Sequence, residues 1–139
     1  MKKRTILLIC TLLLTMFIFA CGVGGGSVVD ERDLNHFVQA FNNAGYVMTD
    51  FDENMRMVEV TNIADMTIPL YYMIDAENGV LFYIDNSPVV IYEFADTNAL
   101  GQAFEDFPFM EQQGWVSNGR FVIEAHNLPE IKAFFGNIQ

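Results

Sequence analysis

A basic start, an uncharged apolar run and a cysteine followed by glycines divide this 139-residue chain before any fold is considered. Lys2, Lys3 and Arg4 precede a stretch over 6–20 of Ile, Leu, Met, Phe and small residues. These are the zones of a secretory signal, and roughly 15 apolar residues fall short of the ~20 that a helix needs to cross a bilayer. What remains to fold is 30–139, 110 residues, enough for one hydrophobic core. Cys10 lies inside the apolar run and Cys21 directly after it, so this remainder holds no thiol. It can form no disulfide and no thiolate metal site, and it offers no cysteine nucleophile. Its stability must come from the core.

Ile18-Phe19-Ala20-Cys21 resembles the bacterial lipobox, an aliphatic and a small residue leading into a modified cysteine, with Phe19 bulkier than that pattern usually carries. The resemblance implies cleavage before Cys21 and a diacylglyceryl group on its sulfur, often joined by a third acyl chain. One chain alone holds a protein only marginally, so stable attachment takes more than one. A plain secretory signal and an uncleaved signal anchor are the alternatives. Gly22-Val23-Gly24-Gly25-Gly26-Ser27 argues against both, because a flexible tether is what a lipid-anchored domain needs. The expected organisation is a signal peptide over 1–20, a lipidated Cys21 with its tether over 21–29, and an acidic domain over 30–139. The expected location is extracytoplasmic, on the bacterial cell membrane.

Charge narrows the partners. All 18 acidic residues follow Cys21, against four basic ones, Arg32, Arg56, Arg120 and Lys132, a balance of −14 beyond the signal. Such a domain repels phosphate backbones, so nucleic acid is set aside. It gains nothing from an anionic membrane surface either, which leaves anchoring to the lipid. Acidity on this scale serves solubility first, and loose cation binding or a basic partner second.

Leu34, Phe37, Val38 and Phe41 fall at i, i+3, i+4 and i+7, predicting an amphipathic helix over 30–44 with Gly45 as its left-handed cap. Strands are expected over 46–51 and 55–61. The stretch 62–75 is ambiguous, since Ile68, Leu70 and Tyr72 alternate as a strand would while 64–72 could start a short helix. Pro69 disfavours a central strand or a helix interior there. Two aromatic and β-branched runs, 80–84 and 89–94, flank Asp85-Asn86-Ser87-Pro88, which has strong turn chemistry. Asp96 or Thr97 caps a helix to about Phe107, ended by Pro108; a strand over 120–125 and a helix over 128–135 follow. The sum is a single two-layer α+β domain of order α-β-β-β-β-α-β-α, with helices on one face of a largely antiparallel sheet. Gln39-Ala40-Phe41 before Gly45-Tyr46-Val47 is echoed by Gln102-Ala103-Phe104 before Gly114-Trp115-Val116. The spacings differ, and chance accounts for so short a pattern.

No catalytic constellation stands out. His36 borders the apolar stripe as a rim histidine, and His126 sits at a strand-to-helix joint; two histidines so far apart do not make a zinc site. Asp50-Phe51-Asp52-Glu53-Asn54 invites a calcium reading, with Asp52 and Asn54 at positions 3 and 5 of an EF-hand loop. Met55 then occupies the glycine position and Thr61 that of the bidentate glutamate, so an acidic turn is expected instead. Ser27, Ser87 and Ser117 stand in neither a G-x-S-x-G elbow nor an S-x-x-K motif, and the glycine run lacks a phosphate loop's lysine. No metal, cofactor or catalytic residue is expected. Aromatics are the remaining feature. Adjacent pairs such as Tyr71-Tyr72 and Phe82-Tyr83 cannot both face inward from one strand. Either the sheet is covered on both faces or aromatic surface is left for a partner.

The segment from Val89-Val90-Ile91-Tyr92-Glu93-Phe94 through Asn118-Gly119-Arg120-Phe121-Val122-Ile123 to Pro129-Glu130-Ile131-Lys132-Ala133-Phe134 resembles small lipoproteins of Firmicutes. These carry a valine-rich strand ending in Tyr-Glu-Tyr or Tyr-Glu-Phe, then an alanine-rich helix. The resemblance covers about the last 50 residues; it implies the architecture and supplies no site. The function expected is a protein-binding or accessory module, with an envelope protein as partner and the membrane reached through the N-terminal lipid. A small-molecule or cation-binding accessory domain is the alternative, and an enzyme ranks last.

Overall fold

Leu34, Phe37, Val38 and Phe41 do form one helix stripe in the computed structural model, which describes residues 30–53, 55, 58–60 and 66–139. Helix α1 (Leu34–Asn43) starts four residues later than predicted because Asp33 caps it, its carboxylate accepting the His36 N–H at 2.8 Å. Gly45, at φ 88°, ends it. The Gly45 N–H bonds to Asn42 O and the Tyr46 N–H to Phe41 O, and the Phe41 and Tyr46 rings meet at 5.5 Å. This is a Schellman motif with its hydrophobic contact.

Strand β1 (Met48–Asp52) follows, then a separate hairpin of β2 (Val58–Val60) with β3 (Met66–Ile68) and a 3₁₀ helix (Leu70–Ile74). Residues 62–65 lie outside the described residues; within the rest of the ambiguous stretch, Met66–Ile68 is strand and Leu70–Ile74 is 3₁₀ helix, with Pro69 as the joint. Its extended backbone (φ −60°, ψ 144°) places it just ahead of the first helical residue, where no N–H is missed. Strands β4 (Asn78–Ile84) and β5 (Ser87–Glu93) form a tight hairpin, with Asp85 and Asn86 at φ 50° and 62° supplying the twist-matched turn. Helix α2 (Thr97–Asp106) is capped by Asp96, whose carboxylate accepts the N–H groups of Asn98 and Ala99. Helix α3 (Phe109–Gln112), strand β6 (Val116–Asn118), strand β7 (Phe121–Ala125) and helix α4 (Pro129–Gly136) complete the chain.

The five-stranded sheet runs β1-β4-β5-β7-β6, antiparallel throughout, and the α+β class and element order are those expected. The layering is fuller than expected: helices lie on both faces. Phe82, Val89, Ile91, Phe121 and Ile123 pack with Phe37 and Phe41 of α1 and Ile131 and Phe135 of α4. The alternate residues Leu81, Val90, Tyr92 and Val122 pack with Leu100 and Ala103 of α2, Met110 of α3 and Ile74 of the 3₁₀ helix. A run such as Val89-Val90-Ile91-Tyr92, apolar without alternation, is what a strand buried on both faces requires. Phe82 and Tyr83 accordingly point to opposite faces and each finds a core.

One end of the sheet is closed by arginines. Arg32 grips the Asp30 carboxylate with Nε at 2.8 Å and Nη2 at 2.6 Å, while its Nη1 donates to Asn118 Oδ1 at 2.9 Å and to Ile138 O. Arg120 pairs with Glu93 at 2.7 Å and donates to the carbonyls of Phe94, Asp30 and Arg32. Both guanidinium groups also lie over aromatic rings, Arg32 over Phe37 at 5.1 Å and Arg120 over Phe121 at 4.8 Å. The residues entering the domain are thereby fastened to the β6–β7 turn.

Candidate functional site

Helix α3 is where the sheet's second face is left partly open. Pro108 stops α2 yet opens α3, since a proline at a helix start gives up an N–H that has no partner there. Gly114, at φ 67°, ends α3 as Gly45 ends α1: its N–H bonds to Glu111 O and that of Trp115 to Met110 O. This reversal carries Trp115 back over the sheet, where its indole stacks on Tyr92 at 5.1 Å and 8°. Phe109 meets the same indole edge-on at 5.7 Å, and Phe107 meets Phe109 at 6.2 Å. Both edge strands of the sheet are therefore entered from a glycine-ended helix with an aromatic residue next in sequence, so the Gly45-Tyr46 and Gly114-Trp115 echo marks a shared helix end.

Opposite α3, the 3₁₀ helix contributes Leu70, Met73 and Ile74, and the two walls enclose a groove of about 450 Å³ with Tyr92 and Glu124 in its floor. Met73 on one rim is 51% exposed and Phe109 on the other 38%, a solvent-facing apolar fringe. Two polar side chains serve the groove. Gln113 accepts the Trp115 indole N–H at 3.3 Å, and Glu124 Oε2 accepts the Tyr92 hydroxyl at 2.9 Å. Burial, and then the Glu124 charge beside it, push the Tyr92 hydroxyl above the usual tyrosine range, so it stays a donor at any physiological pH. Glu124 Oε1 receives no hydrogen bond from the described residues.

A second groove of about 460 Å³ separates α1 from β1, with Leu34, Val38 and Phe51 on its walls and Asp33, Glu53 and Glu93 around them. Two of those carboxylates already have work inside the fold, Asp33 as the α1 cap and Glu93 as the partner of Arg120. The remaining carboxylate there, Glu53, is exposed, whereas the unengaged oxygen under Trp115 belongs to a half-buried glutamate.

The residues singled out from sequence do not converge on it. Cys21 and the tether lie outside the described residues. His36 is half-buried at the rim of α1, its Nε2 2.9 Å from Gln139 O, and His126 is exposed. Asp50 and Asp52 fall in β1, where the pairing with β4 is interrupted and Asp50 takes φ 52°. Among the described residues no three His, Cys, Asp or Glu side chains group as metal ligands, and no helix is long and apolar enough to span a membrane. Of the sequence's aromatics, Tyr92, Phe107, Phe109 and Trp115 come together. Glu124 went unnoticed; the signal was a single acid at a position of an otherwise apolar strand where both faces are covered. No protein family, curated protein or solved structure matches the chain.

Proposed function

We propose that this chain is an extracytoplasmic lipoprotein, held on the outer face of a bacterial membrane by acyl chains on Cys21, of the kind found in Firmicutes. Its 30–139 domain acts as a binding module for another envelope protein. The signal-like N-terminus and glycine-rich stretch support the anchor. What supports protein binding is the groove under Trp115: open, aromatic-walled and fringed by exposed Met73 and Phe109. Aromatic and methionine side chains are the residues most enriched at such contacts.

Two experiments test this. Metabolic labelling with a clickable fatty acid should mark the wild-type protein and not Cys21→Ser; equal labelling of both removes the anchor. A photo-crosslinking amino acid at position 109 should capture an envelope protein in living cells, and the same group at Glu130, exposed on the opposite face, should not. Equal capture from both positions removes the groove as the binding face. A small-molecule ligand is the second reading, favoured by a volume within the ~300–1,000 Å³ range of ligand pockets. Capture of no protein at 109, with a rise in melting temperature in low-molecular-mass envelope extract, selects it.

A further inference from the structure

Building on that reading of the groove as a protein-binding face, we infer that it takes a segment in which a cationic side chain stands among apolar residues, with the cation on Glu124. Three observations on different parts of the molecule converge on this chemistry. The first is the spare oxygen. Glu124 faces the second core from β7, half-buried in the floor, with Oε2 engaged by Tyr92 and Oε1 receiving no bond from the described residues. A carboxylate held in an aromatic groove gains most from a donor that brings charge with it.

The second is the surrounding π surface. Trp115, Phe109 and Phe107 line the groove, and ring faces attract a guanidinium or ammonium group. The third is the charge of the whole domain. Of its four basic residues, Arg32 and Arg120 are held in ion pairs at the far end of the sheet and Lys132 donates to Gly114 O. Arg56 lies outside the described residues. With a balance of −14 beyond the signal, the field favours a cationic segment and repels an acidic one. Apolar neighbours of the cation would then cover the fringe of Met73 and Phe109.

Trp115 is the only tryptophan in the chain, so its emission reports on this groove. The full chain in detergent is titrated with amidated heptapeptides alternating arginine with leucine and phenylalanine. The paired peptide has every arginine replaced by citrulline, which keeps shape and removes charge. The arginine peptide should give a saturable change in Trp115 emission, and the citrulline peptide should bind about tenfold more weakly. Glu124→Gln still offers Tyr92 an acceptor, so the fold is kept while the charge goes, and the difference between the peptides should vanish. Glu130→Gln makes the same change of net charge on the opposite face and should leave that difference intact. Phe109→Ser, at an exposed position, should weaken both peptides.

Absence of a saturable response, equal affinity for the two peptides, or a difference that survives Glu124→Gln each overturns the inference. Protein capture at position 109 that persists beside any of these results leaves the binding-module reading standing and removes only the cationic segment. Loss of capture as well removes both.

Discussion

Replacing Phe41 with alanine removes a ring that no solvent reaches and that meets Tyr46 at 5.5 Å, Phe82 at 5.8 Å and Phe134 at 5.0 Å. Those contacts join α1 to the sheet, to α4 and to the chain's own turn into β1, so no single neighbour can move in to fill the space. A buried Phe→Ala change costs about 3–5 kcal/mol, and aromatic pairs of this geometry add roughly 0.5–1.5 kcal/mol each beyond burial, which places Phe41 toward the upper end. A domain of this size has about 5–15 kcal/mol in all, and here no disulfide limits the unfolded chain. At about 4–8 °C per kcal/mol, the melting temperature should fall by at least ~15 °C. Asn42→Ala is the control, exposed and one residue further along the helix, and should stay within about 0.5 kcal/mol of wild type. Urea unfolding of both variants, made without residues 1–21, measures the difference. A Phe41→Ala variant within 1 kcal/mol of wild type would mean the two aromatic-rich layers are not coupled through α1 in the way the packing implies.

Gly119 sits at φ 63° in the β6–β7 turn, and a Cβ there would run into the Asp30 carboxylate and the Arg32 guanidinium. Gly119→Ala should therefore cost at least about 1–2 kcal/mol in urea unfolding, whereas Gly101→Ala, with open space around a helical glycine, should gain about 0.5–1 kcal/mol. The hydrogen bonds from Arg32 hold the Asp30 carboxyl below its ordinary 3.8. Its contribution is then fully present above pH 3.8 and lost as the pH falls through the lower native value, so stability of wild type should drop more steeply there than that of Asp30→Asn. Millimolar calcium should raise the melting temperature by less than about 5 °C; a larger rise, worth about 1 kcal/mol, would reveal a site at Asp50, Asp52 and Glu53.

The scaffold was legible where local chemistry and long-range packing demand the same thing. The α1 stripe, the Asp85-Asn86 turn, the Asp96 cap and the strand ahead of α4 each combine periodicity with a matching terminal residue. The groove was not legible, because its walls come from the pieces that local pattern specifies least. Leu70–Ile74 is a single short 3₁₀ segment, Phe109–Gln112 is one turn behind a proline that reads as an ending, and Val116–Asn118 is too short for alternation to register. Each exists because a neighbour holds it: β6 through pairing with β7, α3 through Met110 in the core, the 3₁₀ helix through Ile74. The layering departs from helices on one face toward the alternative that the adjacent aromatic pairs leave open: a continuous apolar run such as Val89-Val90-Ile91-Tyr92 carries the signature of a strand buried on both faces.

The arginine clasp also fixes how load enters the domain. With Cys21 lipidated as proposed, the nine residues 21–29 reach at most about 30 Å, and whatever pulls on the bound partner is resisted through them. That pull arrives at Asp30 and passes through Arg32 to Asn118 and through Arg120 to Glu93, spreading over β6, β7 and β5 before it reaches α1. The helix that closes the first core is thus spared direct tension. The Asp85-Asn86 turn stands at the other end of β5, about 20 Å along the strand, so with the anchor as proposed it would be the end of the sheet farther from the point of attachment.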